Sequence, residues 1–111
     1  MLLVLFWECQ EAMDESFTVF VHLLDAHGRV LVGHDSLPAA GMRPTTSWLS
    51  GEIISDEHRL DLAGKVPPGR YSLAVGLYQA GVPGYPRVPV KREGTSLSGD
   101  QVVIYEIEVA D

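Results

Sequence analysis

The chain has 111 residues, enough for one domain, and a chain of this size hides roughly two-thirds of its unfolded surface, so a core without staples is feasible. Its 15 acidic and 8 basic side chains leave a net charge of −7, which argues against a nucleic-acid partner because phosphates would be repelled. Aliphatic content is high and low-complexity sequence is absent, which excludes a disordered chain, and the lone Cys9 excludes an intrachain disulfide without fixing the compartment. The acids are scattered, as on an ordinary solvated surface.

Met1–Trp7, MLLVLFW, is apolar but lacks a basic flank, a small-residue cleavage site and the length of a signal core. Glu8 stops it far short of the ~20 residues a membrane helix needs. It reads as a buried strand over Leu2–Glu8, and a chain that begins on such a strand has the look of a fragment. Gln10–Glu15 is an acidic connection. Ser16–Ser36, SFTVFVHLLDAHGRVLVGHDS, then reads as a β-hairpin around Asp25-Ala26-His27-Gly28.

Alternation in the first arm puts Phe17, Val19, Val21 and Leu23 on one face and Thr18, Phe20, His22 and Leu24 on the other. Both faces carry large apolar groups, so a central strand is expected. Asp25 can bond its own turn backbone and Gly28 supplies a positive φ. A three-residue loop ending in a bulge at that glycine fits the turn. It places Asp25 opposite Arg29, His22 opposite Val32 and Phe20 opposite His34, with His22 and His34 on one face.

Leu37–Ser50 is irregular, with two prolines and a glycine; loops of this length are often functional or pinned by their own side chains. In Gly51–Leu62 the residues Ile54, His58, Leu60 and Leu62 share one parity, while Asp56, Glu57, His58 and Arg59 make the middle polar, as for a solvated face or a bend. Lys65–Gly69, KVPPG, is a stiff turn into a strong strand over Arg70–Tyr78 with Tyr71, Leu73, Val75 and Leu77 on one side. Gly76 leaves room for close approach of a neighbour. Tyr71 reads either as a tyrosine corner bonded to the Val66–Pro67 turn or as an ordinary core tyrosine. Gln79–Tyr85 is a loop, Arg87–Lys91 a short edge strand limited by Pro86 and Pro89, and Glu93–Asp100 a polar connection. Val102–Val109 closes the chain with Val103, Tyr105, Ile107 and Val109 inward. No stretch keeps a helical apolar period. The fold class is all-β, an antiparallel immunoglobulin-like sandwich of about seven strands.

Candidate sites are few. Trp48 lies beside Thr45, Thr46 and Ser47; exposed, it would stack on a sugar ring with the hydroxyls fixing orientation. Buried, it would be a lid over one end of the sandwich, the reading favoured because large aromatics are mostly buried on average. Tyr85 and Arg87 offer a second sugar-facing pair, with loop packing again the favoured reading. His22 and His34, with Asp35, Asp56 or His58, are the remote metal set, but no tight ligand spacing supports zinc, and Asp14, Glu15 and Asp100 lack an ordered calcium pattern. Asp56 and Glu57 are adjacent on a strand and point apart, so they do not pair as glycosidase carboxylates do. Cys9 has no basic neighbour to lower its pKa. No phosphate-binding glycine loop is present. No catalytic residue, cofactor or metal is assigned, and an enzyme is the least supported class.

Taken in order, FTVFVHLLDAHGRVLVGHD, PTTSWLSGEIISDEHRLDL, VPPGRYSLAVGLYQ and GDQVVIYEIEV cover nearly the whole chain. This series resembles the extracytoplasmic C-terminal β-sandwich domain of bacterial membrane glycosyltransferase-like proteins, which are similar to the dolichyl-phosphate-mannose–protein mannosyltransferase superfamily. The chain departs from that pattern at Thr46-Ser47-Trp48, where one residue usually separates Ser from Trp, and it lacks the usual first strand. The resemblance implies a non-catalytic accessory domain on the extracytoplasmic side of the membrane, uncharacterised or carbohydrate-binding-like, cut from a longer membrane protein whose glycosyl-transfer acids lie in its membrane portion. The implied partners are a glycan or lipid-linked sugar and that membrane portion. The alternative is a structural or protein-interaction sandwich, with the missing strand leaving an edge for homodimerisation.

Overall fold

The computed structural model describes residues 1–62, 66–92 and 98–109. Lys65 of the stiff turn and most of the 93–100 connection therefore lie outside the described residues. The described strands are β1 (Leu2–Glu8), β2 (Thr18–Leu24), β3 (Val30–Ser36), β4 (Ile53–Arg59), β5 (Gly69–Tyr78), β6 (Arg87–Val88), β7 (Val90–Lys91), β8 (Ser98–Gly99) and β9 (Val102–Val109). Every pairing is antiparallel. β1 and β4 form one layer. The larger sheet runs β3-β2-β5, and β9 and β6 share the far edge of β5. β7 and β8 form a short separate ladder. The architecture is an all-β antiparallel sandwich, and no helix among the described residues is long and apolar enough to cross a membrane.

The core lies between the layers. β2 contributes Val19, Val21 and Leu23, β5 contributes Tyr71, Leu73, Val75 and Leu77, and Leu3 and Leu60 cover them. These are the inward parities read from alternation, and β2 is central, paired to β3 and β5. A second apolar cluster of Cys9, Trp48 and Ile54 closes one end, with Trp7 and Met13 against it. Tyr71 is a tyrosine corner: its hydroxyl donates to the Pro67 carbonyl at 2.5 Å. Gly76 is required, because a Cβ there would run into the Phe20 ring and the Asp100 carbonyl.

Four expectations need correction. The turn itself forms as read, with Asp25 N donating to Arg29 O at 2.9 Å and Gly28 at φ 80°. Beyond it, however, the pairing passes from Leu24↔Val30 to Leu23↔Val32, so Leu31 is an extra, bulged residue. A one-residue bulge shifts the register of everything after it. Val21 therefore faces His34, His22 faces Gly33, and Phe20 faces Asp35. His22 and His34 lie on opposite faces of the sheet and do not form a ligand pair. A second bulge, opposite Leu73, inserts Ile104 into β9, so Ile104 packs on the core while Val103 and Tyr105 are exposed.

The third correction concerns β1, which is half-buried. Leu3 is buried, but Leu2, Val4 and Phe6 stand exposed on the outer face of the β1–β4 layer beside Ile53. The fourth concerns β4. Its outer face, with Ser55, Glu57 and Arg59, is solvated as read, but the polar run is split: Asp56 and His58 share the inward parity of Ile54 and are buried at 0% and 1% exposure.

Candidate functional site

The loop expected to carry the sugar platform is internally pinned. Trp48 is only 3% exposed, its indole donates to the Arg43 carbonyl at 2.9 Å, and its ring tilts against Trp7 at 6.5 Å. It is the lid over the end of the sandwich and has no free face for a sugar. Thr45 is buried as well, donating to Glu15 O at 2.7 Å and accepting from Phe17 N at 3.0 Å, so its hydroxyl ties two loops together. Thr46 stays exposed, with Ser47, between the buried Thr45 and Trp48. An Arg43–Glu52 bridge at 2.6 Å fastens the same loop to the start of β4.

Tyr85 and Arg87 are placed differently, on the outer face of the larger sheet. β5 ends in a tight loop: Gln79 N donates to Pro86 O and Tyr85 N to Val82 O, at 2.9 and 3.0 Å. The loop holds Tyr85 at φ 48°, a left-handed conformation that costs a non-glycine residue about 1–2 kcal/mol. Its ring is 62% exposed and stands edge-on to Tyr78, centroids 6.0 Å apart at 90°. Backbone strain of this kind clusters at active sites, ligand clamps and switch regions.

Around this pair the sheet supplies a polar and aromatic surface. The Tyr78 hydroxyl donates to Asp35 Oδ2 at 2.8 Å, reaching across β2. Burial and the Asp35 carboxylate hold the Tyr78 phenol above its ordinary value. Phe20 packs against Gly76 with the Arg87 guanidinium 4.4 Å from its ring centre, a cation–π contact. The His22 ring is tilted against Phe20 at 4.6 Å and leans over Gly33, which leaves it room. Burial lowers the His22 pKa; Asp35 opposes this and Arg87 adds to it. At neutral pH the face therefore offers a neutral imidazole, a cation, a carboxylate and two phenols around small residues.

A second polar group lies inside the sandwich. Asp56 Oδ2 accepts from Trp7 Nε1 at 3.1 Å and from His58 Nε2 at 2.6 Å, and Oδ1 accepts from Ala39 N at 2.9 Å. His58 Nδ1 meets His34 Nδ1 at 2.9 Å. Burial alone would raise the Asp56 carboxyl, but the donors from His58, Ala39 and Trp7 outweigh it and hold the group below the usual carboxylate range. Ala39 and Ala40 sit at φ 53° and 55° in the turn that Asp56 clamps. His34 lines a shallow depression of about 460 Å³ bounded by Ser36, Ala39, Ala40, Ser55, Glu57 and Arg59. The three groups run in a line rather than converging, and the described residues contain no cluster of three or more His, Cys, Asp or Glu placed to hold a metal.

Comparison with family models, curated proteins and solved structures gives no match. Of the residues singled out from sequence, the structure brings Tyr85 and Arg87 onto one face and separates them from Trp48, Thr45 and Thr46. Of the metal set, His34, His58 and Asp56 meet, whereas His22 and Asp35 belong to the outer face. Sequence reasoning missed Tyr78 as the ring that backs Tyr85. It also missed the buried Asp56–His58 pair, although both share the parity of Ile54 and Leu60.

Proposed function

We propose that this chain is a non-catalytic accessory domain that binds glycan through the outer face of its larger sheet. Tyr85 carries the reading: an exposed ring held in a strained conformation against Tyr78, on a face where Asp35 bonds Tyr78 and Arg87 and His22 pack on Phe20. An aromatic face takes the apolar side of a sugar ring, and the flanking donors and acceptors take its hydroxyls. The resemblance to the C-terminal domain of membrane glycosyltransferase-like proteins supports a free or lipid-linked glycan as the ligand and an extracytoplasmic setting. Amide-shift NMR against a panel of soluble and lipid-linked glycans tests it. Saturable shifts at Tyr78, Tyr85 and Arg87 that vanish in Tyr85→Ala are the expected result; a panel that binds parent and variant equally, or neither, overturns it.

A second reading rests on the β1–β4 layer. Leu2, Val4, Phe6 and Ile53 are exposed together, and among the described residues β1 is paired on one edge alone. Such an edge accepts another strand, so a structural sandwich that self-associates through β1 is the alternative. Sedimentation velocity decides it: a concentration-dependent dimer lost in Phe6→Lys supports self-pairing, and a strict monomer removes it.

A further inference from the structure

We propose that Asp56, His58 and His34 form a one-proton relay that latches β3 onto β4, and that a second proton opens the latch. β3 is the outermost strand of the larger sheet, hydrogen-bonded to β2. Its inward histidine reaches the opposite layer through His58 and nothing charged intervenes. The order of hydrogens along the line follows from chemistry. An ionised carboxylate only accepts, so His58 Nε2 carries the hydrogen toward Asp56 Oδ2. Neutral His58 then has a bare Nδ1, so His34 Nδ1 must be the donor across the 2.9 Å gap. The remaining nitrogen, His34 Nε2, is left bare on a residue that lines the open depression.

A proton from solvent enters there. His34 Nε2 gains it, the His34 Nδ1–H bond breaks, and that hydrogen forms an Nδ1–H bond on His58. One proton is taken up, His34 is neutral again in its other tautomer, and His58 is an imidazolium between Asp56 and His34. Every contact in the line survives. A second proton has no such place. On His34 Nδ1 it would set two N–H groups against each other; on Asp56 it would remove an acceptor that Trp7, His58 and Ala39 share. The charged groups around the line are Asp56 within it and Glu57 and Arg59 at the rim. β1 contributes Trp7, β3 contributes Ser36 and the clamped turn contributes Ala39 and Ala40, all uncharged.

The test uses the ¹⁵N-labelled parent protein and reads the imidazole nitrogens by long-range ¹H–¹⁵N NMR from about pH 8 down to about pH 4. His22 and His27, which lie outside the line, serve as internal references. The expected result begins with Nε2–H on His58 and Nδ1–H on His34. The pair then takes up one proton with a common midpoint and ends with His58 doubly protonated. Amide exchange across Gly33–Ser36 stays unchanged through that step and rises about tenfold or more once the second proton binds. His34 titrating alone to a doubly protonated ring, with His58 unmoved, overturns the relay. The opposite starting tautomers also overturn it, and β3 exchange indifferent to the second proton overturns the latch.

Discussion

Replacing Asp56 by Asn keeps the side-chain volume but removes the charge and turns one acceptor oxygen into an NH₂ donor. Three donors converge on the carboxylate, Trp7 Nε1 and His58 Nε2 on Oδ2 and Ala39 N on Oδ1. An amide has one acceptor oxygen, so its NH₂ group must face a donor in either orientation. With the oxygen toward Ala39, His58 can change tautomer and accept, but Trp7 loses its acceptor. With the oxygen toward Trp7 and His58, Ala39 N–H and the amide hydrogens are orphaned. Two buried unsatisfied groups at about 1–3 kcal/mol each give a loss of about 2–6 kcal/mol. In a domain this small that lowers Tm by at least about 8 °C. Urea unfolding followed by tryptophan fluorescence measures it, since Trp7 and Trp48 both lie at this end. Glu57→Gln, one residue along on the outer face, is the control and should stay within about 0.5 kcal/mol. An Asp56→Asn variant within about 0.5 kcal/mol of the parent would refute the view that this carboxylate organises the turn and the lid. The same carboxylate sets an acid limit. Its folded pKa lies below the unfolded value of 3.8, so its contribution is present above that pH and is lost as pH falls through the folded value.

Gly76→Ala forces a methyl into the Phe20 ring and the Asp100 carbonyl; a loss of about 1–3 kcal/mol is expected from overpacking, with resonance shifts at Arg87 and Tyr78, and a neutral effect in thermal melts would mean Phe20 does not lie on this glycine. Tyr71→Phe removes the hydroxyl bonded to Pro67 O and should cost about 1 kcal/mol, read as a lower urea midpoint at constant m-value. His22 should titrate below its ordinary 6.5 because burial disfavours its charged form. The stability it contributes is present above that value and is lost as pH falls through the folded one. Asp35→Asn removes the opposing carboxylate and should lower the NMR midpoint further; a midpoint above 6.5 in the parent would contradict the placement of His22.

Much of the architecture was legible because its causes are local. Alternation alone marks Val19, Val21 and Leu23 as one face of β2 and Tyr71, Leu73, Val75 and Leu77 as one face of β5. Asp25 and Gly28 announce the hairpin turn, since a short carboxylate and a positive φ are what that backbone needs. Val-Pro-Pro-Gly before Tyr71 marks the corner, and Gly76 in an otherwise large-residue strand marks a close approach. The lid reading of Trp48 follows from the burial habit of large aromatics.

What only the tertiary structure decided is the parity beyond each bulge and the meaning of the polar positions. Leu31 and Ile104 look like ordinary strand residues. Each is the extra residue of a pairing set by a partner strand, and an extra residue sends every later side chain to the other face. That shift separates His22 from His34. It leaves His22 and Asp35 on the outer face near Tyr78 and Arg87, and carries His34 inward to His58. Asp56 and His58, within the polar run of β4, likewise read as solvent-facing until Trp7, Ala39 and His34 arrive from distant segments to satisfy them. Local sequence thus determined which residues share a strand face. Whether that face meets water, core or a buried carboxylate was decided by strands far away in the chain, because burial of a polar group is tolerable only where its partners converge.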